Sequence, residues 1–231
     1  MQRLQPDPSA DVDLRAAYAV PDARHVRANF VASLDGASTV DGKSAPLGSP
    51  ADHDVFMTLR ALCDVVLVGA GTARTENYGG ARTVDGHTPP IAVVSHALDL
   101  DPAARLFTDT RVRPIVITCA TSPALRREAL TKVADVVVAG DERVDLRGAL
   151  DELATRGLRR VLCEGGPHLL GSLASERLLD ELCLTLAPMI AGGAAGRIVA
   201  GYLPTVVEPM HLLHVLEDNA FLFLRFSTAA A

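Results

Sequence analysis

The feature of this 231-residue sequence that most restricts its fold is the alternation of short apolar strands with helical segments. Each predicted strand is apolar along its whole length, which is typical of parallel strands buried on both faces. Helices between successive strands supply the crossovers that parallel pairing requires. The pattern therefore predicts an α/β fold with helices on both faces of a mixed, mostly parallel sheet. The predicted strands lie at 26–34, 64–72, 90–94, 113–118, 135–139 and 159–164, and the helices begin near residues 49, 122, 145 and 167.

The pattern changes after Leu179. The segments LLDELCLTLAPMI and NAFLFLRFS have strand character with no helix between them, which predicts an antiparallel C-terminal edge. Residues 1–24 are polar and interrupted by prolines, and we interpret them as an N-terminal arm or short helix. Residues 25–231 form the predicted single domain.

Composition excludes several classes of function. The formal net charge of −6 argues against general nucleic-acid binding, because neutralising phosphates requires a basic face. No apolar run approaches ~18 residues and no signal peptide is recognisable, so we expect a cytoplasmic protein without a membrane partner. The four cysteines and seven histidines show no metal-ligand spacing, and we predict no metal.

A pair of glycines ends one buried strand, in the segment VLCEGGPHLLGSL. Gly165 and Gly166 follow the strand, and Pro167 suits the first turn of a helix. Free backbone N–H groups at a helix start can bind an anion, and residues without Cβ let a pyrophosphate approach. The alternative is a tight strand-to-helix turn that binds nothing.

A second strand end has the same character. Gly69 and Gly71 in VGAGT allow close approach, and Thr72 adds a hydroxyl, although the segment does not match GxGxxG. Ligands of open α/β sheets lie beyond the carboxyl ends of the strands, so a dinucleotide could bridge the two turns.

Other polar residues also follow predicted strands. Ser95 and His96 could meet a 2′-phosphate, which would favour NADPH, or they could lie in a solvated loop. Asp35 and Glu164 carry carboxylates suited to the N–H groups of a pyrimidine or pteridine ring. Asp35 could equally close an Asp–Gly turn, and Glu164 could cap a helix.

Six blocks, taken in order, carry a family resemblance: NFVASLDG, GKSAPLGSP, LRALCDVVLVGAGT, VVSHALDL, LCEGGPHLLGSL and LLDELCLTLAPMIAGG. From about Arg27 to the C-terminus the chain resembles the riboflavin-biosynthesis reductases, the C-terminal domain of RibD-type proteins, whose fold is similar to dihydrofolate reductase. The resemblance implies NADPH-dependent reduction of 5-amino-6-(5-phosphoribosylamino)uracil. Hydride would pass to C1′ of the opened sugar and convert ribosyl to ribityl.

The same resemblance assigns roles to residues. Asp35 and Glu164 are the predicted catalytic carboxylates beside the pocket. The implied substrate contacts are Asn29, Ser44, Arg60, Arg82 and Glu164, with Arg60 or Arg82 on the substrate phosphate. The implied cofactor contacts are Val31, Pro46, Gly69, Ala70, Gly71, Thr72, Glu76, Ser95, His96, Gly165, Gly166, Pro167, His168, Leu169, Leu170 and Gly171.

Departures from the family pattern leave alternatives for the substrate. Asn29 replaces a common Lys, Pro46 replaces a usual Trp, and ARTEN replaces the ADNP type of sequence. One alternative is a reductase of the same fold that acts on a pterin such as dihydrofolate. Another is an NADPH-binding regulatory module without turnover.

The resemblance also bears on partners. No HAE or PCxxC motif of the deaminase domain occurs, so a stand-alone reductase is expected. The family implies a homodimer through the apolar C-terminal strands, whose exposed edges would need covering.

Overall fold

A computed structural model describes residues 1–83, 85–201 and 209–228, so the end of the predicted domain at 231 lies outside the described residues. Strands β1–β10 span Gln2–Gln5, His25–Ser33, Val65–Gly69, Ile91–Val94, Ile115–Thr118, Asp135–Val138, Arg160–Cys163, Glu181–Ala187, His211–Asp218 and Phe221–Ser227. Helices α1–α7 span Leu14–Ala17, Pro50–Leu62, Ala70–Thr75, Arg105–Thr108, Ala124–Thr131, Leu146–Thr155 and Pro167–Ser175. A short 3₁₀ helix spans Ala45–Leu47.

All the strands belong to one sheet with the order β1-β9-β10-β8-β2-β7-β3-β4-β5-β6. The strands from β8 to β6 in that order pair in parallel. The β10 strand pairs antiparallel with β8 and β9, and β1 pairs antiparallel with β9. The predicted α/β class is therefore confirmed, including its antiparallel flank. Strand β9 and helices α3 and α4 were not predicted, and the strand predicted at 64–72 ends at Gly69, where α3 begins.

Helices cover both faces of the parallel region. On one face, Val55 and Leu59 of α2 pack with Val66 and Val68 of β3. On the other, Leu150 of α6 and Leu170 and Leu173 of α7 belong to the second core cluster. Because alternate residues of β3 enter opposite cores, the whole strand must be apolar.

The first 24 residues are more than the predicted arm. Strand β1 forms one edge of the sheet, and Tyr18 is buried in the first core cluster. The guanidinium of Arg225 donates to the carbonyls of Ala17 and Ala19, at 2.5 and 3.0 Å, and Arg27 Nη2 donates to the Tyr18 carbonyl at 2.9 Å. This segment therefore belongs to the same folded unit.

A buried carboxylate holds those two arginines. Glu181 is 2% exposed, ion-pairs with Arg27, and accepts a 2.8 Å hydrogen bond from Arg225. Burial alone would raise the pKa of Glu181, but hydrogen bonds from His25 and Arg225 and the charge of Arg27 outweigh it and hold that pKa well below its usual range. Glu181 therefore stays ionised and ties β2 and β10 to the N-terminal segment.

In the described part of the chain, no helix is long and apolar enough to cross a membrane.

His214 of β9 is expected to make stability depend on pH. Its ring meets Tyr18 edge-on at 4.9 Å, and burial, followed by the charge of Arg225, lowers the pKa of His214 to about 4. The unfolded chain binds this proton near pH 6.5, so between about pH 6.5 and 4 the unfolded state carries more protons. The contribution of neutral His214 to the free energy of unfolding is fully present above about pH 6.5. It falls by up to about 3 kcal/mol as the pH drops towards 4.

Urea unfolding at pH 7, 6, 5 and 4 measures this dependence. His214→Phe keeps a ring against Tyr18 and should flatten the curve in that window. An unchanged slope in the variant would show that another group carries the dependence.

Candidate active site

A cavity of about 920 Å³ opens at the carboxyl ends of β2, β7 and β3, between α2, α3 and the start of α7. Parallel pairing brings these strand ends to one edge of the sheet, as expected for ligand sites of such folds. Most of the predicted site residues line it: Asn29, Val31, Ser44, Arg60, Gly69, Gly71, Thr72, Glu76, Arg82, Glu164, Gly165, Gly166, Pro167, His168 and Leu169.

The two glycine turns touch each other because β3 and β7 are neighbours in the sheet. The amide of Gly69 donates to the carbonyl of Gly165 at 2.8 Å. A Cβ at Gly166 would lie 2.5 Å from the Thr72 hydroxyl oxygen, and Gly165 has a φ of +119°. In contrast, a Cβ at Gly71 would meet nothing within 4 Å and would project into open space. Bare backbone thus forms one wall of the cavity.

A buried ion pair forms the floor. Arg60 Nε and Nη2 donate to the two carboxylate oxygens of Glu164, both at 2.7 Å, and the Tyr78 hydroxyl donates to Oε2 at 2.8 Å. The guanidinium also lies 4.2 Å from the ring centre of Phe56. Burial opposes the charge on Arg60, but the attraction of Glu164 outweighs it and raises the pKa of Arg60. Arg60 and Tyr78 therefore occupy both carboxylate oxygens of Glu164.

Glu76 is also occupied by protein donors. The amide and the hydroxyl of Ser44 both donate to its Oε1 atom, each at 3.0 Å. Ser44 directly precedes the 3₁₀ helix, so this contact connects that turn to the end of α3. Ser44, predicted as a substrate contact, and Glu76, predicted as a cofactor contact, are thus paired with each other in the cavity wall.

Two arginines stand at the rim. Arg105 and Arg82 share Asp109, with N···O distances of 2.7 and 3.7 Å, and their side chains are 53% and 77% exposed. One carboxylate therefore faces two guanidiniums. This leaves an excess positive charge at the entrance.

Some predicted site residues lie away from the cavity lining. Asp35 accepts hydrogen bonds from Ser33 Oγ and from the amides of Ala191 and Gly192. The Ser33 bond, followed by those two amides, lowers the pKa of Asp35 to about 2, as suits a turn-closing carboxylate. The other residues outside the lining are Pro46, Ala70, Ser95, His96, Leu170 and Gly171.

Sequence reasoning missed several lining residues. Helix α2 places Asp52, His53, Phe56 and Met57 on the cavity together with Arg60. The spacing 52, 56, 60 is a helical stripe that the sequence could have revealed, because i, i+4 and i+8 share one face. Tyr78 and Arg105 carry no such signal, since each comes from an irregular or very short segment.

Comparison with known proteins identifies the class. The chain is 32% identical over 180 residues to the 2,5-diamino-6-ribosylamino-4(3H)-pyrimidinone 5′-phosphate reductase of Archaeoglobus fulgidus, which covers 73% of this chain and 82% of that one. A crystal structure of a pyrimidine reductase-like protein from Corynebacterium diphtheriae matches with a TM-score of 0.83 and 27% identity, covering 94% of this chain and 99% of the other. Dihydrofolate reductase from Enterococcus faecalis shares the fold alone, with a TM-score of 0.51, 11% identity and coverage of 89% and 96%.

The fold and these relatives define a reductase with a dihydrofolate reductase-like architecture. Residues 24–221 match the RibD C-terminal domain, and the chain belongs to that family of riboflavin-biosynthesis reductases. The family predicted from the six sequence blocks is confirmed.

Substitution at Gly166 should test the contact between the two turns. Gly166→Ala puts a methyl group against Thr72, and we expect a loss of about 1–3 kcal/mol in the free energy of unfolding. Gly71→Ala adds the same group in open space within α3 and should be neutral or stabilising. Thermal unfolding of both variants measures the difference. Equal melting temperatures would contradict the close approach.

Proposed function

We propose that the protein is an NADPH-dependent reductase of a 5-amino-6-(5-phosphoribosylamino)pyrimidine, with the uracil as its substrate. The observation that carries the proposal is one cavity in which a bare-backbone wall adjoins a charged floor of Arg60 and Glu164. The name of the Archaeoglobus relative supports the same substrate class with a 2,5-diamino ring.

The glycine wall fits a dinucleotide. Gly71 leaves room where a Cβ would fill the cradle, and α7 begins at Pro167 with its amide end towards the cavity. Gly165, Gly166 and Thr72 would hold the pyrophosphate, and Val31 would line the nicotinamide side. When bound, the reduced nicotinamide supplies a hydride. The 2′-phosphate contact of Ser95 and His96 stays a prediction.

Arg60 and Arg82, the two arginines proposed for the substrate phosphate, differ in how far a neighbouring carboxylate neutralises their charge. The charge of Arg60 is already neutralised by Glu164, whereas Arg82 and Arg105 share only Asp109 at the rim. The excess positive charge favours the phosphate at Arg82 and Arg105. The ring then faces the floor, where Glu164 orients Arg60 and Tyr78.

The predicted homodimer needs a different geometry from edge pairing. Strands β8 and β10 each pair on both sides, so their edges are not available. Alternate residues of both strands nevertheless form a half-buried apolar face in cross-strand pairs, namely Leu182–Phe226, Leu184–Leu224 and Leu186–Leu222. A second copy of the chain covering this face would bury those side chains.

NADPH oxidation followed by absorbance tests the reaction. The uracil substrate, its 2,5-diamino counterpart and dihydrofolate are assayed in parallel, and we expect turnover with a ribosylaminopyrimidine. Turnover with dihydrofolate alone would identify a pterin reductase. NADPH binding without any turnover would favour the regulatory module.

The cofactor site is tested by Gly71→Ala. Its methyl group would occupy space proposed for the pyrophosphate, so NADPH affinity should fall at least about tenfold, a loss of ~1.4 kcal/mol, while stability is kept. Titration of NADPH fluorescence measures this. Wild-type affinity in the variant would place the cofactor elsewhere.

The dimer is tested by Leu224→Glu. A charge in the apolar face should convert a dimer to a monomer in light scattering at micromolar protein. Leu125→Glu, at an 84% exposed leucine of α5, is the matched control. A monomeric wild-type protein would rule out the dimer.

A further inference from the structure

Three carboxyl groups line the cavity in the described residues: Asp52, Glu76 and Glu164. Two of them are occupied by protein donors. Glu76 accepts hydrogen bonds from the amide and hydroxyl of Ser44, and Glu164 accepts them from Arg60 and Tyr78. Among the described residues, Asp52 is the one of the three whose carboxyl group has neither an arginine nor a backbone amide as a hydrogen-bond donor.

Asp52 lies in the first turn of α2, where its amide donates to the Ser49 hydroxyl at 3.1 Å. Its carboxyl group lies near Gly48 and the Thr185 hydroxyl of β8, and His53 is the neighbouring titratable group on α2. Thr185 pairs in register with Val31, the residue proposed beside the nicotinamide. Asp52 therefore stands at the end of the cavity where the reacting carbon would lie.

Burial raises the pKa of Asp52, although the Thr185 hydroxyl and His53 oppose the shift. A ligand above the carboxyl group would remove further water and favour the neutral acid. The arginines cannot release a proton at neutral pH, and Tyr78 directs its hydroxyl proton to Glu164. His53 and His168 are the rival donors, and both are exposed on the lining.

We propose that Asp52 binds the nitrogen that joins the opened sugar to the pyrimidine ring and donates a proton to it during reduction. This inference rests on the proposed function. As C1′ accepts a hydride from the reduced nicotinamide, the π electron pair of C1′=N moves to nitrogen. The nitrogen takes the Asp52 proton, the nicotinamide is left oxidised, and water reprotonates the carboxylate.

The position of Asp52 on α2 supports this role. Asp52 and Arg60 lie eight residues apart on one helical face, about 12 Å along the axis. Phe56 lies between them on the cavity. A ring held near Arg60 would therefore extend its sugar nitrogen towards Asp52, while the phosphate reaches the rim.

The experiment compares Asp52→Asn, Asp52→Glu and the control Asp54→Asn across pH 5–9. Asp54 is exposed on the same helix and does not line the cavity. Asp52→Asn should lower kcat about 100-fold and abolish the fall in kcat at alkaline pH. KM should change little, and Asp52→Glu should restore part of kcat. Asp54→Asn should match the wild type.

A second readout needs no cofactor. Calorimetric binding of the ribitylaminopyrimidine product in two buffers of different ionisation enthalpy should show proton uptake that Asp52→Asn loses. Wild-type kcat and pH profile in Asp52→Asn would overturn the inference while leaving the reductase function intact. A matching loss in His53→Asn or His168→Asn instead would reassign the donor. Absence of turnover in the wild-type protein would overturn both proposals.

Discussion

The contact between two neighbouring strand ends is the constraint on which the cavity depends. Parallel pairing of β3 with β7 places Gly69 against Gly165, joined by one backbone hydrogen bond. The two turns can come this close only because Gly166 has no Cβ to meet Thr72. A wall of unobstructed backbone results, and the helix α7 leads away from it.

The floor of the cavity illustrates why a buried charge needs all its partners. The carboxylate of Glu164 can be buried because two nitrogens of Arg60 and the hydroxyl of Tyr78 all donate hydrogen bonds to it. Removing one partner of such a pair commonly costs about 3–5 kcal/mol, whereas the intact pair adds little net stability. The pair is better understood as a device that orients groups in the cavity than as a source of stability.

At the other end of the strands, a second buried carboxylate with several partners anchors structure alone. Glu181 forms ion pairs with Arg27 and Arg225. Arg225 also donates to the carbonyl groups of Ala17 and Ala19, and Arg27 donates to that of Tyr18. The N-terminal segment is in this way attached to the antiparallel flank. The cavity and this anchoring cluster thus occupy opposite ends of β2, which carries Arg27 near one end and Val31 near the other.

The sequence by itself determined the parallel sheet, because strands buried on both faces must be apolar throughout. It also determined both glycine turns, because a turn that needs residues without Cβ is visible in the local sequence. It also carried the family blocks. It did not reveal β9, α3 or α4, or the inclusion of β1 from the first 24 residues in the sheet. Only the tertiary structure decided that Glu164 pairs with Arg60 and Tyr78, that Asp35 closes a turn outside the cavity, and that Asp52 faces it. These relations join residues far apart in the chain, and packing in three dimensions alone brings their side chains within reach.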